Sequence, residues 1–155
     1  MTQELTPIDA IDHKLIEHLQ RDGRATNDTL AEVVNLSASA VLRRVRRLEE
    51  SGVIRRYAAI VDSEKLGLAL TAYLSVRLEK HSAQHKATPM EQFKAAIAVW
   101  PEVTECAALT GEMDYLLRVQ VRDMAHYSRF VLETLLRHPC VEDVKSSFVL
   151  ARIKD

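Results

Sequence analysis

A chain of 155 residues, 47% apolar and 28% charged, holds enough apolar material for one ordinary domain or two small ones. It has no apolar run near the ~20 residues a membrane-spanning helix needs. A net charge of −1 argues against a uniformly basic nucleic-acid binder, and the two cysteines, Cys106 and Cys140, lack the spacing of a thiol-clamped metal centre. The polar, acidic start "MTQELTPIDAID" is unlike a secretory signal. The expectation is a reducing cytoplasm with both thiols as small core residues.

The first third reads as three short helices. Asp9 caps the first, with Asp12 three residues on as the second half of a capping box. Ile11, Leu15, Ile16 and Leu19 form its apolar stripe, and Gly23 ends it. Thr26 opens a second helix with Leu30, Ala31 and Val34 inward, and Asn35 suits a left-handed turn. Ser37 caps a third helix that runs to about Ser51 and stops at Gly52. Helix, short turn, helix, with the small Ala31 near the crossing, is helix-turn-helix spacing. "VIRRYAAIVD", residues 53–62, reads as a short strand.

From about Leu70 the period changes. "LTAYLSVRLEK" alternates as a half-buried strand does, with Ala72, Leu74, Val76 and Leu78 on one face. Thr88, Pro89 and Glu91 start a helix whose inward face is Met90, Phe93 and Ile97. "EVTECAALTG" and "MDYLLRVQVRD" read as strands joined at the turn "TGEMD". A helix using Phe130, Val131 and Leu135 and a last strand, "VEDVKSSFVLARIK", complete the order βαββαβ. The fold class is therefore α+β, the second half being a ferredoxin-like, four-stranded antiparallel sheet with two helices on one face. The expected division is residues 1–62, a hinge at 63–69 and a second domain over 70–155.

The third helix carries the sharpest chemistry. Four arginines fill positions 43, 44, 46 and 47, and with Arg55 and Arg56 against Glu49 and Glu50 the window from 43 to 56 is +4. Residues 1–62 as a whole hold nine Lys/Arg against ten Asp/Glu, so the charge is a patch, as phosphate contacts require. At about 100° per residue, Val41, Leu42, Val45 and Leu48 define the core side. Ser39, Ala40, Arg43, Arg46 and Arg47 lie opposite, with Arg44 at the flank. Small residues near the capping Ser37 and guanidiniums further on are what a major groove admits. Ser37, Ser39, Ala40, Arg43, Arg44, Arg46 and Arg47 are thus the candidate DNA contacts.

Other chemistry is thinner. His81 and His85, four apart, lie in an expected loop without further ligands, so no metal is assigned. Catalytic nucleophile patterns and Gly-rich phosphate loops are absent, and no cofactor is implied. Glu112 and Asp114 have nothing beside them to support acid–base work. They suit recognition of an ammonium group, with the turn glycine Gly111 opening backbone amides to a carboxylate.

The segments "LQRDGRATNDTLAEVVNLSASAVLRRVRRLEESGVIRRY", "LTGEMDYLLRVQVRDM" and "VKSSFVLARIK", in this order, resemble the leucine-responsive regulatory protein/AsnC family of transcription regulators from about Ile8 to Lys154. Relatives often carry prolines and a cysteine early in the recognition helix, where this chain has Ala38, Ala40 and Val41. The resemblance implies an N-terminal winged helix-turn-helix and a C-terminal, ACT-like ligand-sensing domain. It also implies double-stranded DNA as partner, and homo-oligomers in which dimers assemble as far as octamers, with no membrane. A free amino acid would bind where sensing domains meet. Carried over, the effector candidates are Gly111, Glu112, Met113, Asp114 and Tyr115, then Ser146, Ser147 and Phe148. Met113 and Phe148 favour an apolar effector of the leucine or methionine class. Sirohaem decarboxylase subunits share the architecture and are the enzymatic alternative; their corresponding segment is histidine-rich, whereas "TGEMDYLL" has no histidine. On the sheet, Tyr73, Leu116 and Val149 are expected on the uncovered face, which would be an interface.

Overall fold

The computed structural model describes residues 7–79 and 88–154. Two compact units divide at Ile60/Val61: Met1–Ile60 and Val61–Asp155. His81 and His85 lie outside the described residues.

The first unit is α1 (Ala10–Arg21), α2 (Asn27–Val34) and α3 (Ala38–Glu50). Each starts on a side-chain cap that accepts backbone N–H groups left over by the first turn. Asp9 caps α1 in a full capping box with Asp12, Thr26 caps α2 and Ser37 caps α3. Asn35 does sit in the left-handed region at φ 54°, turning α2 into α3. Gly23 does not; α1 has already ended at Asp22, and Gly52 is the glycine with positive φ here. Leu15, Leu30, Ala31, Val41 and Val45 form the core, rimmed by Ile11, Leu19, Val34 and Leu36. Leu42, expected inside, is only half-buried, because it stands at the margin of the apolar arc that Val41, Val45 and Leu48 fill.

The strand expected over residues 53–62 does not form. A strand needs a ladder partner, and among the described residues every strand belongs to the sheet of the second unit. The segment is held instead by the Ile54 N–H on the Leu48 carbonyl (2.9 Å) and the Tyr57 hydroxyl on Glu49 (2.9 Å), leaving Ile60 95% exposed.

The second unit follows the expected βαββαβ order: β1 (Leu70–Leu78), α4 (Pro89–Ile97), β2 (Val103–Ala108), β3 (Tyr115–Val121), α5 (Met124–Arg129) and β4 (Val141–Phe148). Beyond Arg129, α5 widens into a π-helical stretch, Phe130–Leu135. The sheet is antiparallel in the order β2-β3-β1-β4. Alternation puts Ala72, Leu74 and Val76 of β1 and Tyr115, Leu117, Val119 and Val121 of β3 into one core with Phe93, Tyr127, Phe130 and Leu135. Phe93 is its hub, with Tyr115 and Trp100 at ring-centroid distances of 5.1 and 5.9 Å.

Three expectations shift. Met90, in the first turn of α4, is exposed rather than inward. Cys140 is buried, but Cys106 is exposed, because β2 is an edge strand paired only with β3. The segment expected as a hinge at 63–69 is a hydrogen-bonded turn of the second unit. Leu66 and Leu68 donate to the Ser63 carbonyl at 3.1 and 2.8 Å, and the Ser63 hydroxyl meets the Gln120 amide at 2.8 Å.

Candidate nucleic-acid interface and effector turn

The exposed side of α3 begins with Ser37 and Ser39, whose hydroxyls lie 3.1 Å apart while Ser37 also accepts the Ala40 N–H. A shallow concavity of Ser39, Leu42, Arg43, Arg44, Arg46, Arg47 and Glu50 follows. Every residue proposed from the sequence to touch DNA is therefore on or beside one open helix surface.

The four arginines are not equivalent. Arg43 and Arg46 are exposed and make no hydrogen bond or ion pair with a described residue. Arg44 donates from Nη1 to Asp9 at 2.7 Å and to Asp12 at 2.9 Å. Arg47 donates from Nη2 to the other oxygen of Asp12. The Asp12 side chain is 0% exposed, whereas those of Arg44 and Arg47 are 25% and 44% exposed. Asp9 takes the Ile11 and Asp12 N–H groups, both at 2.9 Å. The Asp12 backbone amide, followed by the Arg44 guanidinium, holds the Asp9 carboxyl down at about 2, and the two carboxylates push Arg44 up. The capping pair was legible in the sequence, but its link to α3 was not. Its signal was spacing: Asp9 and Asp12, and Arg44 and Arg47, are both i, i+3 pairs that project from one helix face.

In the second unit, Gly111 turns the chain between β2 and β3 at φ 127°, a conformation open to glycine and strained for other residues. Beside it Glu112 is exposed and bound to Lys145 at 2.8 Å, with Arg77 at 4.0 Å; Lys145, then Arg77, hold its carboxyl below the usual range. Met113 and Tyr115 are buried. Asp114 does not reach freely outward. Its Oδ2 accepts the Leu78 N–H at 2.7 Å and its own N–H donates to the Val76 carbonyl at 2.9 Å, so it closes the end of β1.

The second group of effector candidates divides. Ser146 and Phe148 lie on the helix side of the sheet, where Ser146 accepts the Tyr127 hydroxyl and Phe148 packs edge-on to Tyr127 at 4.8 Å. Ser147 pairs with Tyr73 on the uncovered face. Tyr115 shares a row with Val76 and Val144, while Phe148 is paired with Ala72, four residues along β1. That is ~13 Å within the sheet, so one copy of the chain does not bring Phe148 to the turn. The uncovered face carries Tyr73 and Leu116 among Ser75, Arg77, Arg118 and Lys145, and Val149 donates to the Thr71 carbonyl at 3.0 Å at its edge.

Among the described residues no group of three or more His, Cys, Asp or Glu could hold a metal ion, and no helix is long and apolar enough to cross a membrane.

Comparison with known proteins adds an independent line. Residues 8–55 match the winged helix-turn-helix DNA-binding model, and residues 71–155 match the Lrp/AsnC ligand binding domain. The leucine-responsive regulatory protein of Rhizobium meliloti is 40% identical over 96% of this chain and 92% of its own length. The Bkd operon transcriptional regulator of Pseudomonas aeruginosa is also 40% identical, over 96% and 95%. Among solved structures, a transcriptional regulator from Neisseria meningitidis in complex with L-Met is 45% identical, with a TM-score of 0.89 over 96% of this chain and 94% of that one. An arginine-faced third helix in a helix-turn-helix unit, a βαββαβ unit and these matches lead to one assignment: the chain belongs to the Lrp/AsnC family of DNA-binding transcriptional regulators.

Proposed function

We propose that this regulator reads double-stranded DNA through the exposed face of α3 and answers to a free apolar amino acid of the methionine or leucine class. Ser37, Ser39 and Ala40 would approach base edges, and Arg43 and Arg46 the phosphates. The observation that carries the DNA reading is the exposure of Arg43 and Arg46 on that face, without a partner among the described residues. The effector would sit at residues 111–115, its carboxylate on backbone amides that Gly111 leaves open and its side chain toward Met113. The relative solved with L-Met supports the apolar class. Because Phe148 and Ser147 are remote from the turn within one copy, a complete site needs a second chain, which fits an even-numbered assembly, from a dimer up to an octamer, in the cytoplasm.

A thermal-shift screen of the proteinogenic amino acids tests the effector class. A ligand at 100 times its Kd stabilises the folded state by about 2.7 kcal/mol, so methionine or leucine should raise the melting temperature most. A screen led by a charged amino acid would overturn the apolar class. Asp114→Asn then tests the ammonium contact by calorimetry. A loss under about threefold (~0.7 kcal/mol) leaves Asp114 with only its bond to the Leu78 N–H. Sedimentation should show a dimer or larger even assembly; a monomer of 17.5 kDa would overturn the shared site.

A further inference from the structure

We infer that Asp12, with Asp9, is a positioning residue that withholds Arg44 and Arg47 from DNA phosphates and so limits sequence-independent binding. The inference rests on α3 being the DNA face. Four guanidiniums within five positions would make a strong phosphate binder regardless of base sequence, because each neutralised phosphate releases counterions. The geometry divides them. Arg43 and Arg46 stand in the surface concavity without a partner among the described residues, while Arg44 and Arg47 close on one fully buried carboxylate from both sides.

That burial decides which partner holds the arginines. A carboxylate removed from water is tolerable only while its oxygens are fully bonded. Asp12 Oδ1 has Arg44, and Oδ2 has Arg47 together with the Asp9 N–H at 3.1 Å. Moving Arg47 to a phosphate would exchange a bond to a desolvated anion for one to a hydrated anion and leave Asp12 under-bonded. Arg44 is held twice, since Asp9 binds it too. The same bonds lash the first turn of α1 to the middle of α3, so the recognition helix is set before DNA arrives.

The test is the salt dependence of binding to a fluorescein-labelled duplex of mixed sequence, between about 50 and 200 mM salt. Asp12→Asn preserves shape and the acceptor for the Asp9 N–H but removes the charge. Its plot of log K against log salt should steepen by about 0.9 for each arginine released to a phosphate, with tighter binding at the low-salt end. Adding Arg47→Ala to Asp12→Asn should reverse the part due to Arg47. A role in stability alone would lower the melting temperature without steepening the slope. A folded Asp12→Asn chain whose slope is unchanged or flatter overturns the inference. If circular dichroism shows that Asp12→Asn loses helix, Arg44→Ala takes its place: an arginine already withheld by Asp9 and Asp12 leaves the slope unchanged when it is removed, and a flattening of about 0.9 overturns the inference. Absence of salt-dependent binding in the unmodified chain would instead overturn the assignment of α3 as the DNA face.

Discussion

The two units solve the problem of fixing helices in opposite ways. In Val61–Asp155, α4 and α5 lie on a broad apolar sheet face around Phe93, and the polar side chain buried there among the described residues is the neutral amide of Gln120, bonded to Ser63. In Met1–Ile60 the core is a few aliphatic side chains on three short helices, and the polar side chain buried among the described residues is an acidic one, Asp12. A small core leaves helix orientation weakly determined. Directional bonds from caps and ion pairs then carry more of the specification, and they make the unit responsive to charge. A DNA-reading unit gains from that, because its partner is itself a polyanion. The second unit needs a rigid support for the effector turn proposed at residues 111–115, and apolar packing supplies it.

The largest effect should follow core truncation in the second unit. Phe93→Ala removes the hub of an aromatic cluster and should cost ~3–5 kcal/mol, read by urea denaturation. The contrast with the first unit would weaken if the loss were under about 1.5 kcal/mol, the range of a well-tolerated core change.

Next is Asp12→Ala, expected to destabilise the first unit by about 1–3 kcal/mol, the usual result of removing a buried hydrogen-bonded partner. The two arginines stay partly solvated, which keeps the loss below that of stranding a fully buried charge. Truncating Lys145, whose pair with Glu112 is exposed, should scarcely move the second unit. Equal effects in a denaturation series would erase the distinction between the units.

Acid sharpens the contrast further. The Asp9 carboxyl is held at about 2 against an ordinary value of 3.8. A depressed folded-state value contributes stability that is complete above the unfolded value and is lost as pH falls through the folded one. The helical unit should therefore weaken between about pH 4 and pH 2, and Asp9→Ser should flatten that part of the profile. Thermal melts by circular dichroism across this range give the answer; an unchanged profile in the variant would remove Asp9 as the titrating group.

How far these features were legible depends on the range of the interaction. Caps at Asp9, Thr26, Ser37 and Thr88 are local patterns, and the sequence carries them in full. The βαββαβ order is legible because alternation and helical spacing are also local. Three features are not local. The 53–62 segment has strand-like residues but no ladder partner among the described residues. Cys106 has core-like neighbours in sequence but lies on an edge strand. Arg44 and Arg47 have the composition of a solvated face, yet their bonds reach 32 to 35 residues back. The exposed side of α3 was correctly located by helical angle, while the allotment of its guanidiniums required knowing what α1 places beside them.

The smallest stability effect, and the one that separates binding from folding most cleanly, belongs to Arg43 and Arg46. On helical angle alone Arg43 and Arg47 form the natural test pair, but Arg47 bonds a buried carboxylate, so its loss has a stability component. Arg43 and Arg46 have no described partner, so the double variant Arg43→Ala/Arg46→Ala should stay within about 0.5 kcal/mol of the parent, as surface substitutions do. Its DNA salt slope should flatten by about 0.9 for each phosphate that is no longer neutralised. Arg44→Ala should show the reverse pattern, since Arg44 satisfies Asp9 and Asp12: a clear loss of stability in the first unit with little change in slope. If both variants flatten the slope alike, the carboxylates do not reserve Arg44. If neither does, the phosphate-binding surface lies elsewhere in the unit, with Arg55 and Arg56 of the exposed 53–62 segment the next residues to replace.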